Sequence, residues 1–406
     1  MTETLRPETA AQVLDAVQWA LSNGTPLDIV GHDTKRGFGR PPSAGHRLDL
    51  SGLSGVNLYE PEELVLSAGA GTSMAEIEGL LSQNRQQLAF EPADLGELYG
   101  GEPGKQTLGG VLAANLSGPR RLKAGAARDH FLGFKAVSGR GEEVKSAGRV
   151  VKNVTGYDLC KLMAGSHGTF AAMTEVTVKV LPAPEKSWTV LAYGLDDETA
   201  VRALSAAGGS PHEVAALAHL PAAVAARSAV GYVKDAGRAV TAIRVEGPGP
   251  SVEYRTAALK QMLAGQAELE ELHSHNSRSF WREVRDVAAL LPQPEHAVWK
   301  LSVAPMDGPA VLARLRDKLD CEAYYDWAGG LIWLSLPEGE DAEAGTVRGA
   351  LDGGGHATLM RASEAVRASV PVFQPQPEGL AGLGRRLKEA FDPEHILNRG
   401  RMAPHG

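Results

Sequence analysis

Glycine clusters in a fixed order along the first half of the chain constrain this sequence more than any other feature. The chain contains 47 glycines, and many of them stand together between apolar runs. Glycine lets a backbone approach a ligand closely, because no Cβ stands in the way. The clusters lie at Gly31–Gly37, Gln106–Asn115, Val151–Leu159 and Gly165–Thr169.

Two simpler nucleotide-binding motifs fit this pattern less well. Gly69-Ala70-Gly71 precedes a helical pattern, as in a dinucleotide-binding fingerprint, but Met74 stands where the third glycine belongs. Gly104-Lys105 resembles the end of a phosphate-binding loop. However, Tyr99 replaces its first glycine, and Gln106 replaces the hydroxyl residue that holds magnesium. The first motif is therefore disfavoured and the second is rejected.

The four clusters together predict a site for an anionic ligand rich in hydrogen-bond acceptors, such as a diphosphate. Successive backbone N–H groups exposed by glycine can surround such a ligand without any lysine contact. For one cluster alone, a simple turn would be the preferred interpretation. Four clusters in order favour a binding site instead.

Strand and helix patterns alternate along the chain and predict an α+β fold. Apolar spacing through Val13 and Val17 predicts a helix from Glu8 to Ser22 that stops at Asn23-Gly24. Ser73-Met74-Ala75-Glu76 is a capping box that opens another helix. Short strands separated by glycine turns favour α+β over a single doubly wound sheet. Further elements are expected as strands at 27–30, 56–59, 64–68, 169–180, 297–303 and 330–336, as helices at 252–263, 309–319 and 380–391, and as a long loop at 100–125.

Length and proline placement predict more than one domain. A chain of 406 residues is longer than a single hydrophobic core usually supports. Leu181-Pro182-Ala183-Pro184 follows a strand pattern and marks a boundary. We therefore expect a first domain at 1–185 and a smaller α+β domain at 186–370 that acts as a cap, substrate or interface domain. A C-terminal segment at 371–406 is expected to pack back toward the first domain.

Charge and cysteine content exclude several classes of protein. The net charge of −8 at pH 7 argues against nucleic acid as a partner. The two cysteines, Cys160 and Cys321, form no CxxC pair, so neither a metal site nor an iron–sulfur cluster is expected. No apolar stretch reaches the roughly 18 residues of a transmembrane helix, and residues 1–8 lack the apolar core of a signal peptide. We expect a cytoplasmic protein that reaches a membrane only through its partners.

The ordered clusters resemble the FAD-binding domain of the vanillyl-alcohol-oxidase or para-cresol-methylhydroxylase (PCMH) type. The resemblance covers residues 1 to about 185 and is strongest at Thr107–Gly110 and Gly165–Val180. It implies two α+β subdomains with FAD held between them. The cofactor contacts that it implies, at the diphosphate, along the ribityl chain and at the flavin and adenosine ends, are Gly31, His32, Asp33, Thr34, Lys35, Arg36, Gly37, Thr107, Gly109, Gly110, Ser117, Gly118, Asp158, Leu159, Gly165, Gly168, Thr169 and Val176.

Motifs farther along the chain resemble the E-subunit family of glycolate oxidases. They lie at Lys152–Leu159, Phe280–Asp286, Gly355–Ala362, Val372–Pro375 and Phe391–Asn398. This resemblance implies an FAD-dependent oxidoreductase that converts glycolate, a small 2-hydroxy acid, to glyoxylate. It also implies two partners, a D-type flavoprotein subunit and an F-type iron–sulfur subunit. One departure is Arg399, where related enzymes often carry a proline after the asparagine.

Three arginines are the predicted substrate-binding residues of the second domain. Arg282, Arg285 and Arg361 each present a planar guanidinium that fits a carboxylate. Structural ion pairs or a subunit interface are alternative roles for them. The His-x-Gly-Asp-Gly segment of related catalytic subunits is absent, and Gly353–His356 is its nearest counterpart. We therefore expect turnover only in a complex, and a flavin-holding scaffold without turnover of its own stays open as a second function.

The FAD is expected to be bound non-covalently. Some relatives attach the flavin to a histidine in the first glycine cluster, and His32 lies in that cluster. When the diphosphate loops are aligned, however, Thr34 rather than His32 occupies the linking position. A hydroxyl side chain there does not form the histidyl bond.

Overall fold

A computed structural model describes residues 3–146 and 157–404 of the chain. The chain divides into two compact units. The first contains Met1–Ser117, Gly125–Ala183 and Pro375–Gly406, and the second contains Gly118–Ala124 and Pro184–Gln374. Of the expected C-terminal segment at 371–406, Pro375–Gly406 therefore belongs to the first unit, and the four residues before it belong to the second. Helices and strands both occur in each unit, so the predicted α+β class is confirmed.

The strands and helices are numbered here in chain order. The strands are β1 (Glu3–Leu5), β2 (Leu27–Val30), β3 (His46–Asp49), β4 (Val56–Glu60), β5 (Val65–Gly69), β6 (Gln86–Gln87), β7 (Phe131–Ser138), β8 (Glu143–Ser146), β9 (Ala171–Lys179), β10 (Leu181–Pro182), β11 (Lys186–Tyr193), β12 (Ala216–Leu220), β13 (Val240–Gly247), β14 (Glu268–Leu272), β15 (His296–Ser302), β16 (Glu322–Asp326), β17 (Leu331–Pro337) and β18 (His356–Arg361). The helices are α1 (Ala10–Asn23), α2 (Met74–Gln83), α3 (Leu108–Ala113), α4 (Arg121–Ala124), α5 (Ala127–His130), α6 (Leu159–Met163), α7 (Asp197–Gly208), α8 (Ala222–Ala225), α9 (Gly231–Lys234), α10 (Gly249–Leu263), α11 (Ser274–Arg285), α12 (Gly308–Arg316), α13 (Ala344–Gly349), α14 (Glu364–Ser369) and α15 (Glu378–Phe391). Within the described ranges, none of these helices combines the length and the apolar character that crossing a bilayer requires.

The first unit contains two main sheets. A parallel three-stranded sheet has the order β1-β3-β2, and an antiparallel five-stranded sheet has the order β4-β5-β9-β7-β8. Buried residues of α1 join residues of both sheets and of the C-terminal segment in one apolar core. That core includes Val13, Val17, Leu27, Leu48, Val137, Ala172, Ile396 and Leu397.

Local sequence signals account for the helix ends in the first unit. Thr9 and Gln12 form a reciprocal capping box at the start of α1, and Gly24 ends that helix with a left-handed φ of 59°. At the start of α2, Ser73 accepts a hydrogen bond from the backbone N–H of Glu76. Both helices are confirmed: α1 was predicted from its apolar spacing and its stop at Asn23-Gly24, and α2 from the Ser73–Glu76 capping box.

The expectation of one long loop at 100–125 is wrong in part. The segment contains α3, of six residues, and α4, of four residues. Leu108, Val111 and Leu112 are buried in α3, and their spacing is that of a helix face. Gly109 and Gly110 lie inside this helix, and six residues are too few to show a helical repeat in the sequence.

The second unit is built on one antiparallel eight-stranded sheet. Its order is β14-β11-β13-β12-β16-β17-β15-β18. Val190 and Ala192 of β11 pack in a core with residues of α7 and α10. Thr189, whose side chain lies on the opposite face of β11 from that of Val190, accepts a hydrogen bond from the indole N–H of Trp281 of α11. Helices therefore cover both faces at this end of the sheet.

Candidate functional site

A cleft in the first unit lies at the end of β2, where the first glycine cluster begins. The space within it, including the part that is open to solvent, is about 590 Å³. The cleft is bounded by four segments that are far apart in sequence: β2 with the loop after it, α3 with its flanking residues, the loop before β9, and the C-terminal segment. Its lining residues are Asp28, Ile29, Val30, Gly31, His32, Asp33, Thr34, Lys35, Arg36, Thr107, Gly110, Ala113, Ala114, His167, Asn398 and Arg401.

Two glycines of the first cluster are required by close packing. A Cβ added at Gly31 would lie 2.6 Å from the Oγ1 of Thr107. A Cβ added at Gly37 would lie 2.3 Å from the ring of Tyr99. Both distances are shorter than a carbon contact allows, so a larger residue at either position would force the side chain of Thr107 or Tyr99, or the loop itself, to move.

The second cluster opens α3 beside the same loop. Thr107 caps the helix, and its Oγ1 accepts a hydrogen bond from the N–H of Gly110 at 3.2 Å. Gly109 is buried, and its N–H donates to the carbonyl of Ala70 at 2.9 Å. Gly110 instead lines the cleft. Gly110, unlike Gly109, is therefore next to the space that a ligand would occupy.

Asn398 ties the C-terminal segment to β2 and to the fourth glycine cluster. Its Oδ1 accepts from the N–H of Ile29 at 2.6 Å, and its Nδ2 donates to the carbonyl of His167 at 2.7 Å. Arg401, three residues on, donates to the carbonyl of Lys35 at 2.8 Å. The arginine at position 399 does not prevent this arrangement, because the backbone of Asn398 turns with a left-handed φ of 44°.

A buried ion pair holds the C-terminal segment in place. The Nζ of Lys388 lies 2.6 Å from the Oδ2 of Asp392, and both side chains are almost completely buried. The same ammonium donates to the carbonyls of Thr169 and Leu397, and Asp392 accepts from the N–H groups of Ile396 and Leu397. Asp392 stands in a motif that was predicted, whereas Lys388 was not predicted, although the two lie four residues apart in sequence.

Lys35 and His167, which both line the cleft, have lowered pKa values. Burial lowers the pKa of Lys35 to about 8, and Asp94 opposes this shift. Burial lowers the pKa of His167 to about 3, and the positive charge of Arg401 adds to the effect. His167 is therefore neutral at pH 7. Arg36 forms an ion pair with Asp28, with an N–O distance of 2.9 Å.

Other predicted cofactor residues lie apart from the lining of this cleft. Ser117 accepts a hydrogen bond from the N–H of Ala127, and Asp158 caps α6. Val176 is fully buried in the middle of β9. Leu159 is the first residue of α6, and Gly118 belongs to the second unit. Gly165 and Gly168 have left-handed φ values. The hydroxyl of Thr169 donates to the carbonyl of Ser166. The stretch Val151–Gly156 of the third cluster lies outside the described residues.

The second unit contains a cluster of cations and indole rings that the sequence analysis missed. The Nζ of Lys300 lies 5.1 Å from the ring centre of Trp327 and 5.8 Å from that of Trp333. The guanidinium carbon of Arg121 lies 4.5 Å from the same Trp327 ring. Burial lowers the pKa of Lys300 to about 8, the charge of Arg121 lowers it further, and Asp326 opposes both.

The backbone beside this cluster adopts an uncommon conformation. Trp327 and Ala328 have left-handed φ values of 51° and 59°, which cost on the order of 1–3 kcal/mol each. The N–H of Trp327 donates to Asp326, and its indole donates to the carbonyl of Gly118 at 3.1 Å. These bonds hold the indole under the two cations. Strain of this kind is concentrated at functional sites in proteins.

The three predicted arginines are not brought together. Arg282 is exposed on α11. Arg285 forms a two-point ion pair with Asp286, at 2.7 and 2.8 Å. Arg361 is buried and donates to the carbonyls of His296 and Gln293. These contacts favour structural roles for Arg285 and Arg361. His356 is exposed at the start of β18.

Comparison with known proteins gives a consistent result across the chain. A model of an FAD binding domain matches residues 3–147. Glycolate oxidase subunit GlcE of Escherichia coli (strain K12) is 32% identical over 392 residues, which cover 96% of each chain. A D-lactate dehydrogenase of Archaeoglobus fulgidus is 28% identical over 191 residues, covering 46% of this chain and 40% of that protein. The solved structure of an alkyldihydroxyacetonephosphate synthase, 17% identical, matches with a TM-score of 0.67 over 97% of this chain and 75% of that one.

These matches define the chain first by class, as an FAD-dependent oxidoreductase with the PCMH-type α+β fold. The cleft fits the cofactor for two reasons. Gly110 has no Cβ that would enter the cleft, and Lys35 lines the cleft with a side chain that suits an anion. Within that class, the chain belongs to the family of glycolate oxidase subunit GlcE.

Proposed function

We propose that the chain is the FAD-carrying subunit of a glycolate oxidase complex and takes part in oxidising a small 2-hydroxy acid to the 2-oxo acid. The observation that carries this proposal is the match to the E. coli subunit over 96% of both chains. The similarity to a D-lactate dehydrogenase supports the same substrate class. The proposed partners are a D-type flavoprotein subunit and an F-type iron–sulfur subunit.

The cofactor residues proposed for this chain follow from the cleft. The loop Gly31–Gly37 and Gly110 would hold the diphosphate, with the loop fixed by Asn398. We expect non-covalent binding, since the Nδ1 of His32 already lies 2.6 Å from the carbonyl of Lys105. Acid precipitation tests this expectation: the yellow colour should leave the protein pellet, and colour retained in the pellet would contradict it.

In the oxidation of a 2-hydroxy acid, the cofactor and the protein have separate roles. FAD supplies the two-electron acceptor when it is bound. Oxidation of glycolate to glyoxylate removes two electrons and two protons from the substrate, so it also needs a base and a cation for the carboxylate. Lys300 and Arg121 are proposed to supply that cation, because both lie over one indole in a partly buried cluster. They replace the three arginines as the best candidates.

The base is proposed to come from a partner. The chain lacks the His-x-Gly-Asp-Gly segment of related catalytic subunits, and a positioned base typically contributes about 10²- to 10⁴-fold to the rate. The isolated FAD-loaded chain, mixed anaerobically with glycolate or D-lactate, should therefore not bleach its flavin rapidly. Adding the D-type and F-type subunits should restore dye reduction. Rapid bleaching without partners would show a complete active site in this chain.

A second function, a flavin-holding scaffold, is favoured by the same missing segment. The two functions differ in what the flavin of this chain does during turnover. In the assembled complex, a redox-active flavin should bleach in a single turnover and have a midpoint potential between those of substrate and acceptor. A flavin that stays oxidised throughout turnover would identify the scaffold.

The variant Lys300→Met in the assembled complex tests whether Lys300 binds the carboxylate of the substrate. Loss of one cation should raise the KM for glycolate by on the order of 10-fold, with FAD content unchanged. Lys318→Met, which changes an exposed lysine after α12, is the matched control. An unchanged KM in Lys300→Met would remove this lysine from the substrate site.

A further inference from the structure

Lys300 lies on the face of the eight-stranded sheet that is opposite to the main apolar core of its strand. Its neighbours Trp299 and Leu301 are buried in that core, and side chains alternate between the two faces along a strand. Lys300 is paired in register with Trp333 of β17 and with Thr358 of β18. Residues that are paired across strands lie on the same face, so the amine has an indole on one side and a hydroxyl on the other.

The amine of Lys300 has no hydrogen-bonded or ion-paired partner within the part of the chain that the structure describes. Its close contacts there are the rings of Trp327 and Trp333, whose centres lie 5.1 and 5.8 Å from Nζ. Because the side chain is only partly exposed, solvent does not fully replace the missing partner. The amine is therefore available for a ligand.

The surroundings of Lys300 keep part of it in the neutral, nucleophilic form. Burial lowers the pKa of its ammonium to about 8, the charge of Arg121 adds to this, and Asp326 opposes it. The two indole faces also favour the charged form. With a pKa of about 8, roughly one molecule in ten has the neutral amine at pH 7, compared with fewer than about one in a thousand for an ordinary lysine.

A second cation, Arg121, lies over the same indole. Its guanidinium carbon is 4.5 Å from the ring centre of Trp327. A guanidinium keeps its charge at every pH at which the protein is folded, and its planar fork fits a carboxylate. The two side chains therefore combine an amine that can attack a carbonyl with a group that can hold a carboxylate. A 2-oxo acid carries these two groups on adjacent carbon atoms.

We propose that Lys300 captures the 2-oxo acid product of the reaction as an imine, while Arg121 holds the carboxylate of the product. The neutral amine adds to the carbonyl carbon, and the carbonyl oxygen leaves as water with both amine protons, so that C=N replaces C=O without any oxidant or reductant. Water reverses the step. The imine occupies the lysine that the substrate carboxylate needs, so accumulated product slows its own formation. That the oxo acid is glyoxylate rests on the proposed function.

Reductive trapping on the FAD-loaded chain tests the imine directly. Cyanoborohydride converts an imine of glyoxylate into a stable carboxymethyl-lysine, which mass spectrometry of the digested protein assigns to single residues. Lys318 is exposed after α12 and serves as the control within the same molecule. At pH 7, Lys300 should be labelled on the order of 10-fold faster than Lys318, because more of its amine is neutral. Equal rates at the two lysines would overturn the proposal.

Acetaldehyde, which has no carboxylate, tests the role of Arg121. The variant Arg121→Gln removes the fork and also raises the pKa of Lys300, and the second effect slows labelling by both aldehydes. The readout is therefore the ratio of the glyoxylate rate to the acetaldehyde rate at Lys300, which should fall by on the order of 10-fold. Lys123→Gln changes an exposed cation of the same helix and should leave the ratio unchanged. An unchanged ratio in Arg121→Gln would contradict the two-point site.

The pH dependence of labelling gives a test that needs no variant. The ratio of the rates at Lys300 and Lys318 should be highest below pH 8 and should fall above it, by up to about 10-fold per unit, because only Lys318 continues to lose protons. The charged groups that act on Lys300 are Arg121 of α4 and Asp326 of β16. Its partners Trp333 and Thr358 on the neighbouring strands carry no charge. A ratio that is the same from pH 7 to pH 9.5 would overturn the proposal.

Protection by glycolate distinguishes this proposal from the proposed function. If Lys300 also binds the substrate carboxylate, glycolate should slow the labelling of Lys300 by glyoxylate and leave that of Lys318 unchanged. Fast labelling of Lys300 that glycolate does not slow would support the imine and count against the substrate site. A raised KM in Lys300→Met, together with labelling of Lys300 no faster than that of Lys318, would support the substrate site and overturn the imine.

Discussion

The two units build their candidate sites from different parts of the polypeptide. In the first unit the cleft depends on close approach of the backbone at Gly31 and Gly110, and Asn398 of the C-terminal segment holds β2 beside it. In the second unit the cluster is formed by side chains, with Lys300 over Trp327. A backbone-built site has no room for a Cβ, whereas a site built of side chains can lose one and keep its fold. Substitutions should therefore affect cofactor retention in the first unit and substrate binding in the second.

The largest expected effect is the loss of FAD from Gly110→Val. A Cβ at this position would lie 3.1 Å from the Oγ1 of Thr107, and the branched methyls would extend into the cleft. We expect most of the flavin to be absent from the purified variant, as measured by absorbance at 450 nm against protein. Gly79→Val is the matched control, because Gly79 is an exposed glycine of α2 with open space around it. Full flavin occupancy in Gly110→Val would contradict a backbone-built cofactor site.

The next largest effect should come from the buried ion pair of the C-terminal segment. Lys388→Met leaves the carboxylate of Asp392 buried without its cation, which should destabilise the first unit by about 3–5 kcal/mol. Hydrogen exchange at the amides of Leu27 and Ile29 would report this, because the segment bonds to β2 at both residues.

Arg385→Met provides the control on the same helix. Its ion pair with Glu378 is exposed, so its loss should cost no more than about 1 kcal/mol. Equal exchange rates in Lys388→Met and Arg385→Met would show that the buried pair does not hold the segment.

The first unit could be predicted from sequence to a greater extent than the second, and the two sites show why. A glycine is required wherever the backbone approaches closely, so the loop from Gly31 to Gly37 carries a signal in the residue type itself. Lys300 carries no such signal, because a lysine in a strand is ordinary until the fold places Trp327 and Arg121 beside it. Those residues lie far apart in sequence.

The fold also explains why the predicted arginines do not form one binding site. Arg285 and Arg361 stand in motifs, but their guanidinium groups bond to Asp286 and to backbone carbonyls. A motif of this kind reports a packed local structure as readily as a binding site. Lys388 was missed for the opposite reason, since its partners at Thr169 and Leu397 are brought near only by the folded C-terminal segment.

A smaller effect concerns the pH dependence of stability in the first unit. The pKa of His167 is lowered to about 3 by burial and by Arg401, whereas an unfolded histidine titrates near 6.5. Between these values the unfolded chain binds more protons, so stability is lost as the pH falls below about 6.5. The free energy of unfolding should fall by less than about 1.4 kcal/mol for each pH unit, because His167 is only partly buried.

His167→Asn tests this directly in urea unfolding of the apo-protein between pH 7 and pH 5. Asparagine tolerates the left-handed φ of 51° at this position. The variant should be less stable at pH 7, because the ring packs against Phe38 at 4.8 Å, but its stability should fall less steeply with acid. A slope equal to that of the wild type would mean that other groups cause the acid sensitivity.

The smallest effect on the isolated chain is expected from Arg282→Ala in the second unit. Arg282 is exposed on α11, and within the described residues its side chain has no ion pair, so the free energy of unfolding should change by less than about 0.5 kcal/mol. An exposed cation of this kind can still steer or hold a partner, since guanidinium pairs readily with carboxylates. In the complex, Arg282→Ala should therefore reduce co-purification with the D-type subunit or slow dye reduction, by less than about 10-fold. Arg278→Ala, one turn earlier on the same helix, is the control. If both variants assemble and turn over like the wild type, Arg282 belongs to neither an interface nor a substrate site, and the second unit's chemistry is left to the Lys300 cluster.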